Sequence, residues 1–65
     1  MRTYRFYFCT ATGHIVRAQN IPCKDGEAKD LAMELMGQLD PAIDAIEVWE
    51  AQQLLYLVTR EAALN

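Results

Sequence analysis

The sequence predicts an α+β fold: a four-stranded antiparallel sheet with one helix across one face, in the order ββαββ. Three observations predict it. The chain opens with the alternating pattern Tyr4-Arg5-Phe6-Tyr7-Phe8. Its middle carries apolar residues at spacings of three and four, from Ala28 to Leu39. It closes with two short apolar runs, around Ile46 and around Leu55. Period two marks a strand and period near 3.6 marks a helix. With 65 residues, the chain is expected to hold a single domain spanning residues 1–65.

The first strand is read over Thr3 to Thr10, with Tyr4, Phe6 and Phe8 on one face and Arg5, Tyr7 and Cys9 on the other. Ala11-Thr12-Gly13 follows as a three-residue hairpin loop whose glycine can take positive φ. The second strand is read from His14 to Ile21, with Pro22 ending it. Regular pairing across this loop sets Phe8 opposite Val16, Phe6 opposite Ala18, Cys9 opposite Ile15 and Tyr7 opposite Arg17. Asp25 is a candidate N-cap, and Glu27 lies in the first turn, where the helix dipole favours negative charge. The helix runs from about Gly26 to Leu39. Ala28, Leu31, Ala32, Leu35 and Leu39 form its apolar stripe, Met36 borders the stripe, and Glu27, Asp30, Glu34 and Gln38 face away. Pro41 prevents continuation.

Ala45 to Glu50 and Leu54 to Thr59 are read as the last two strands. No glycine stands between them, which favours a four-residue type I loop, Glu50 to Gln53, over a two-residue turn. Ile46 and Val48 then share a face with Leu55 and Leu57, while Glu47, Trp49, Leu54, Tyr56 and Val58 share the other. Arg60 to Asn65 is a short tail with one helical turn. The helical crossover lets strand three lie antiparallel beside strand one, so the strand order is expected to be 2-1-3-4.

The Tyr4–Phe8 run, the turn at Gly13, the acidic start of the helix and Ile46-Glu47-Val48-Trp49-Glu50 together resemble a group of short bacterial proteins classed as a domain of unknown function. The likeness spans nearly the whole chain. It implies a ββαββ fold and carries over no functional residues. Where that group often has a glycine in the last hairpin, Ala51 and Gln52 stand here.

Composition narrows the function classes. Hydrophobic residues make up 52% and charged residues 23%, as in an ordinary globular chain. The net charge is −3, and Arg2, Arg5, Arg17, Lys24, Lys29 and Arg60 are scattered. Both facts argue against a general nucleic-acid binder and against avid binding to anionic membranes. No apolar run approaches the ~20 residues of a membrane span, and no secretory pattern opens the chain. A cytoplasmic location is the expectation. Cys9 and Cys23 fall near opposite ends of the predicted hairpin, beyond disulfide reach, and are expected to stay reduced.

No catalytic constellation is legible, and no enzyme activity is expected. His14, on a turn flank, has no orienting acid in view. Cys9, His14 and Cys23 lack the close ligand pairs of a zinc site. Cys9 has no neighbour that would lower its pKa. Glu27, Asp30 and Glu34 lie at helical spacing, as on a solvated face. Gly13, Gly26 and Gly37 do not cluster into a phosphate loop. No cofactor and no metal is expected.

What remains is a surface. One helix covers one face of the sheet, and the other would carry Tyr7, Cys9, Ile15, Trp49, Leu54, Tyr56 and Val58. Such a face on a solvated antiparallel sheet usually alternates to polar residues. Domains of this size also tend to need a staple such as a partner subunit. Homodimerisation through this face is therefore expected, with Tyr7, Ile15, Trp49, Leu54, Tyr56 and Val58 as interface candidates and with another protein as the other partner class. The blander reading is that the aromatics are cross-strand pairs stiffening the sheet, or that the tail Glu61 to Leu64 covers them. A single-stranded nucleic-acid or ligand platform, stacking on the same aromatics beside Arg5 and Arg17, is the alternative.

Overall fold

The computed structural model describes residues 2–24 and 26–63. It contains β1 (Arg2–Thr10), β2 (Ile15–Cys23), α1 (Glu27–Gln38), β3 (Ile43–Glu50), β4 (Gln53–Thr59) and α2 (Arg60–Ala63). The strands form one antiparallel sheet in the order β2-β1-β3-β4, as the pattern predicts.

The core lies between α1 and one face of the sheet. Tyr4, Phe6 and Phe8 of β1 and Ile46 and Val48 of β3 are buried there. Ala28, Ala32 and Met36, one turn apart, form the centre line of the helix contact. The two alanines let the helix approach the sheet closely. Leu31, Leu35 and Leu39 flank that line and pack against the core half-buried. Met36, expected at the border of the stripe, is at its centre. The chain enters α1 through Gly26 at φ 86°, a left-handed conformation suited to glycine. The N-cap role expected of Asp25 falls outside the described residues.

Two corrections concern the edge strands, and both have the same cause. The first hairpin loop forms as expected: Gly13 adopts φ 85°, and Thr10 and His14 bracket the three residues Ala11 to Gly13. Cys9 also meets Ile15 as expected. The register then shifts by one residue, so Phe8 lies opposite Arg17, Tyr7 opposite Ala18 and Phe6 opposite Gln19. Val16 is the extra residue, a β-bulge, and every later side chain of β2 changes face. Regular pairing would have turned Asn20 and Pro22 toward the core. The bulge turns Ile21 and Cys23 there instead, and Cys23 is buried. Pro22 does not end β2. It pairs with Thr3, which an edge strand permits because one side of it needs no amide donor.

The second hairpin repeats the device. Its loop has two residues, Ala51 and Gln52, rather than four, and Ala51 takes φ 54°, a left-handed conformation more often left to glycine. Trp49 meets Leu54, and then the register shifts: Val48 lies opposite Tyr56, Ile46 opposite Val58 and Glu47 opposite Leu57. Leu55 is the extra residue. Regular pairing would have offered Leu55 and Leu57 to the core. With the bulge, Leu55, Tyr56 and Val58 all pack against it. Tyr56 and Val58 are therefore core-side residues, not residues of the outer face. Val58 is only 4% exposed, whereas Leu57 is 57% exposed.

The tail forms the expected turn of helix, α2, and packs against α1, β3 and β4. It sits on the helix side, so through Ala63 it does not cover the outer face. Leu64 lies outside the described residues. Arg60 anchors this corner. Its Nε donates to the Ile43 carbonyl at 2.9 Å, and its Nη2 donates to the carbonyls of Ile43 and Asp40 at 2.6 and 3.0 Å. No helix among the described residues is long and apolar enough to cross a membrane.

Candidate interaction surface

The sheet face away from α1 is built from alternate positions. β1 gives Arg5, Tyr7 and Cys9, and β3 gives Ala45, Glu47 and Trp49, directly paired as Arg5–Trp49, Tyr7–Glu47 and Cys9–Ala45. β2 adds Ala18 and Asn20 beside Tyr7 and Arg5, with Ile15 next to Cys9. β4 adds Leu54 beside Trp49 and Leu57 beside Glu47.

At the centre, the aromatic side chains are locked to their neighbours. Tyr7 and Trp49 meet edge to face, with ring centroids 6.3 Å apart and planes at 85°. This is a favoured geometry for aromatic pairs. Trp49 Nε1 donates to Glu47 Oε1 at 2.9 Å. Arg5 stacks over the Tyr7 ring, 5.4 Å from its centroid, and its Nε donates to the Tyr7 hydroxyl at 3.1 Å. Arg5 Nη1 donates to Asn20 Oδ1 at 3.0 Å. Tyr7, Glu47 and Trp49 are half-buried as a result.

Cys9 lies beneath this cluster, 4% exposed, with Sγ 3.8 Å from the Tyr7 carbonyl and 4.0 Å from Glu47 Oε2. Burial pushes its thiol pKa up, and the Glu47 carboxylate pushes it further the same way. Both effects disfavour the thiolate, which is the reactive form. Cys9 and Cys23 form no disulfide.

Four of the six predicted interface residues thus lie on the outer face: Tyr7, Ile15, Trp49 and Leu54. Tyr56 and Val58 do not, for the register reason given above. Leu57, missed by sequence reasoning, takes their place. The run Leu54 to Val58 is uniformly apolar, so no alternation in it reveals which residues face out. Arg17 also changes sides. Its guanidinium lies 5.8 Å from the centroid of Phe8, a core-side residue, so the outer face does not bring Arg17 together with Arg5.

Elsewhere, an open groove is lined by Cys23, Glu27, Asp30, Leu31 and Glu34. His14 is exposed on the first hairpin turn. Among the described residues, no three His, Cys, Asp or Glu side chains gather into a metal-binding group. Comparison of the chain with protein-family models, with curated proteins and with solved structures finds no match.

Proposed function

We propose that this chain is a non-enzymatic interaction module that associates with a second copy of itself through the outer sheet face. The observation that carries this reading is the placement of Leu54 and Leu57. They are 44% and 57% exposed on β4, Leu54 opposite Trp49 and Leu57 opposite Glu47, on the face that neither α1 nor α2 covers.

Two further arguments support it. The polar groups at the centre of the face already have partners: Trp49 Nε1 in Glu47, and Arg5 in Tyr7 and Asn20. Burying Trp49 against a partner would therefore strand no indole donor, the usual large cost of covering polar surface. The size also fits. The molecule measures 30 × 23 × 16 Å, and its broad faces approach the roughly 800 Å² per partner of a standard interface, which its narrow edges do not. Tryptophan and tyrosine are the residue types that concentrate binding energy at such contacts.

The test is molar mass by light scattering over a wide concentration range. The wild-type chain should give a dimer or larger species. Trp49→Ala and Leu57→Lys should each shift the association to at least tenfold higher concentration while keeping the helical circular dichroism. A wild-type monomer at every concentration would overturn the reading.

A further inference from the structure

We infer that Glu47 makes association through the outer face sensitive to acid: two copies take up protons on their Glu47 carboxylates as they pack together, and separate as pH rises. This rests on the self-association proposed above and adds its regulation.

The first argument is position. Glu47 has Tyr7 directly opposite on β1 and Leu57 directly opposite on β4. Its neighbours on the same face of β3 are Ala45 and Trp49. The carboxylate is therefore ringed by apolar and aromatic side chains at the centre of the face. A charge on the rim of an interface keeps its water, whereas charge is depleted at the dry centre. A second copy that covers Leu57 and Trp49 covers Glu47 as well.

The second argument is the partners that Glu47 has. Its Oε1 accepts from Trp49 Nε1 at 2.9 Å, and its Oε2 lies 4.0 Å from Cys9 Sγ. Both of those groups are uncharged. Among the described residues, no salt bridge reaches Glu47. Arg5, the one cation among the paired residues of this face, is turned to the Tyr7 hydroxyl and to Asn20. A carboxylate covered without a cation is costly as an anion and far less so once protonated. Two-fold symmetry doubles the effect, because each copy brings its own Glu47 into the same interface. A site that holds its proton more tightly in the dimer than in the free chain strengthens association as pH falls. The other titratable groups of the face, Tyr7 and Cys9, are of types that titrate above neutrality. Asp44 stands beyond Ala45, and His14 on the hairpin turn beyond Ile15, both away from the centre.

The experiment is sedimentation equilibrium at pH 7.5 and at pH 5.5. The dissociation constant of the wild-type dimer should be at least about tenfold lower at pH 5.5. Glu47→Gln keeps a carbonyl oxygen for Trp49 Nε1 and removes the charge. It should associate more tightly than wild type at pH 7.5 and lose most of the pH dependence. Glu34→Gln removes the same charge from α1, on the other side of the sheet, and should keep the wild-type pH dependence. A wild-type dimer indifferent to pH, or a Glu47→Gln variant with an unchanged pH dependence, would overturn the inference and leave self-association standing. Weaker association of Glu47→Gln at pH 7.5 would also overturn it, by showing that Arg5 of the second copy neutralises the carboxylate. Monomers at both pH values in wild type and Glu47→Gln alike would overturn the association and the acid switch together.

Discussion

The guanidinium of Arg60 reaches back seventeen positions to the carbonyl oxygen of Ile43, which accepts from both Nε at 2.9 Å and Nη2 at 2.6 Å. The same Nη2 donates to the Asp40 carbonyl. One side chain thus ties the end of β4 to the loop between α1 and β3. That loop is further ordered by Asp40, whose Oδ1 accepts from the Ala42 amide and whose carbonyl accepts from the Ile43 amide. Hydrogen bonds from a charged donor contribute about 1.5–3 kcal/mol. Arg60→Ala should therefore lower unfolding stability by about that amount, read from the urea midpoint. Arg60→Lys should recover only part of it, because an ammonium cannot present the planar fork. An unchanged midpoint in Arg60→Ala would show that the anchor contributes nothing.

Val58 and Leu57 are adjacent in β4 and should respond oppositely to truncation. Val58→Ala removes buried methyl groups beside Ile46 and should cost about 2 kcal/mol. Leu57→Ala, measured at a concentration where the chain is dispersed, should stay within about 0.5 kcal/mol. Denaturant titration of both variants checks the register directly. The reverse ranking would mean that β4 pairs regularly, without the bulge at Leu55.

Ala51 occupies left-handed backbone at φ 54°. That conformation costs a non-glycine residue about 1–2 kcal/mol, part of which glycine returns through its greater freedom when unfolded. Ala51→Gly should therefore stabilise the protein by roughly 0.5–1 kcal/mol, raising the melting temperature by a few degrees. Gly13→Ala, at φ 85°, should do the opposite. A lower melting temperature for Ala51→Gly would contradict the turn geometry.

The buried Cys9 thiol sets a pH dependence. Its pKa is raised above the ordinary 9.0 by burial and by Glu47. Above that ordinary value the unfolded chain loses this proton first, so the folded state binds more protons and stability falls as pH rises. The contribution is fully present below pH 9 and declines above it. Cys9→Ser should flatten the decline in unfolding curves taken between pH 8 and pH 10. Glu47→Gln, which removes the nearby charge, should speed alkylation of Cys9 in the native protein at pH 8.5, followed by peptide mass spectrometry. Equal alkylation rates would remove Glu47 as a cause of the shift.

Much of the fold was legible because the central elements carry clean periods. The alternation of Tyr4, Phe6 and Phe8 with Arg5, Tyr7 and Cys9 is strict, and burial follows it. Ile46 and Val48 alternate with Glu47 and Trp49 in the same way. The three- and four-residue spacing from Ala28 to Leu39 describes one helix. Strand order followed from connectivity alone, since a helical crossover after β2 leaves β3 free to pair with β1.

The edge strands were not legible in this way. In Leu54 to Val58 every residue is apolar, so local sequence offers no preference between the two registers, and Val16 to Cys23 holds two alternating runs out of phase, with apolar Val16 and Ala18 followed by Ile21 and Cys23. The Tyr7 and Trp49 half of the candidate surface could be read for that reason, and the Leu57 half could not.

The sequence by itself determined the element order, the strand order, the core face of the two central strands and the glycine turn at Gly13. Only the tertiary structure decided which way β2 and β4 face. The physical reason is that a single bulge residue reverses a strand. Whether Val16 and Leu55 bulge depends on which side chains α1 can bury at the far end of each strand. Ile21 and Cys23 gain that burial over Asn20 and Pro22, and Leu55, Tyr56 and Val58 gain it over Leu55 and Leu57, through contacts that no local period encodes.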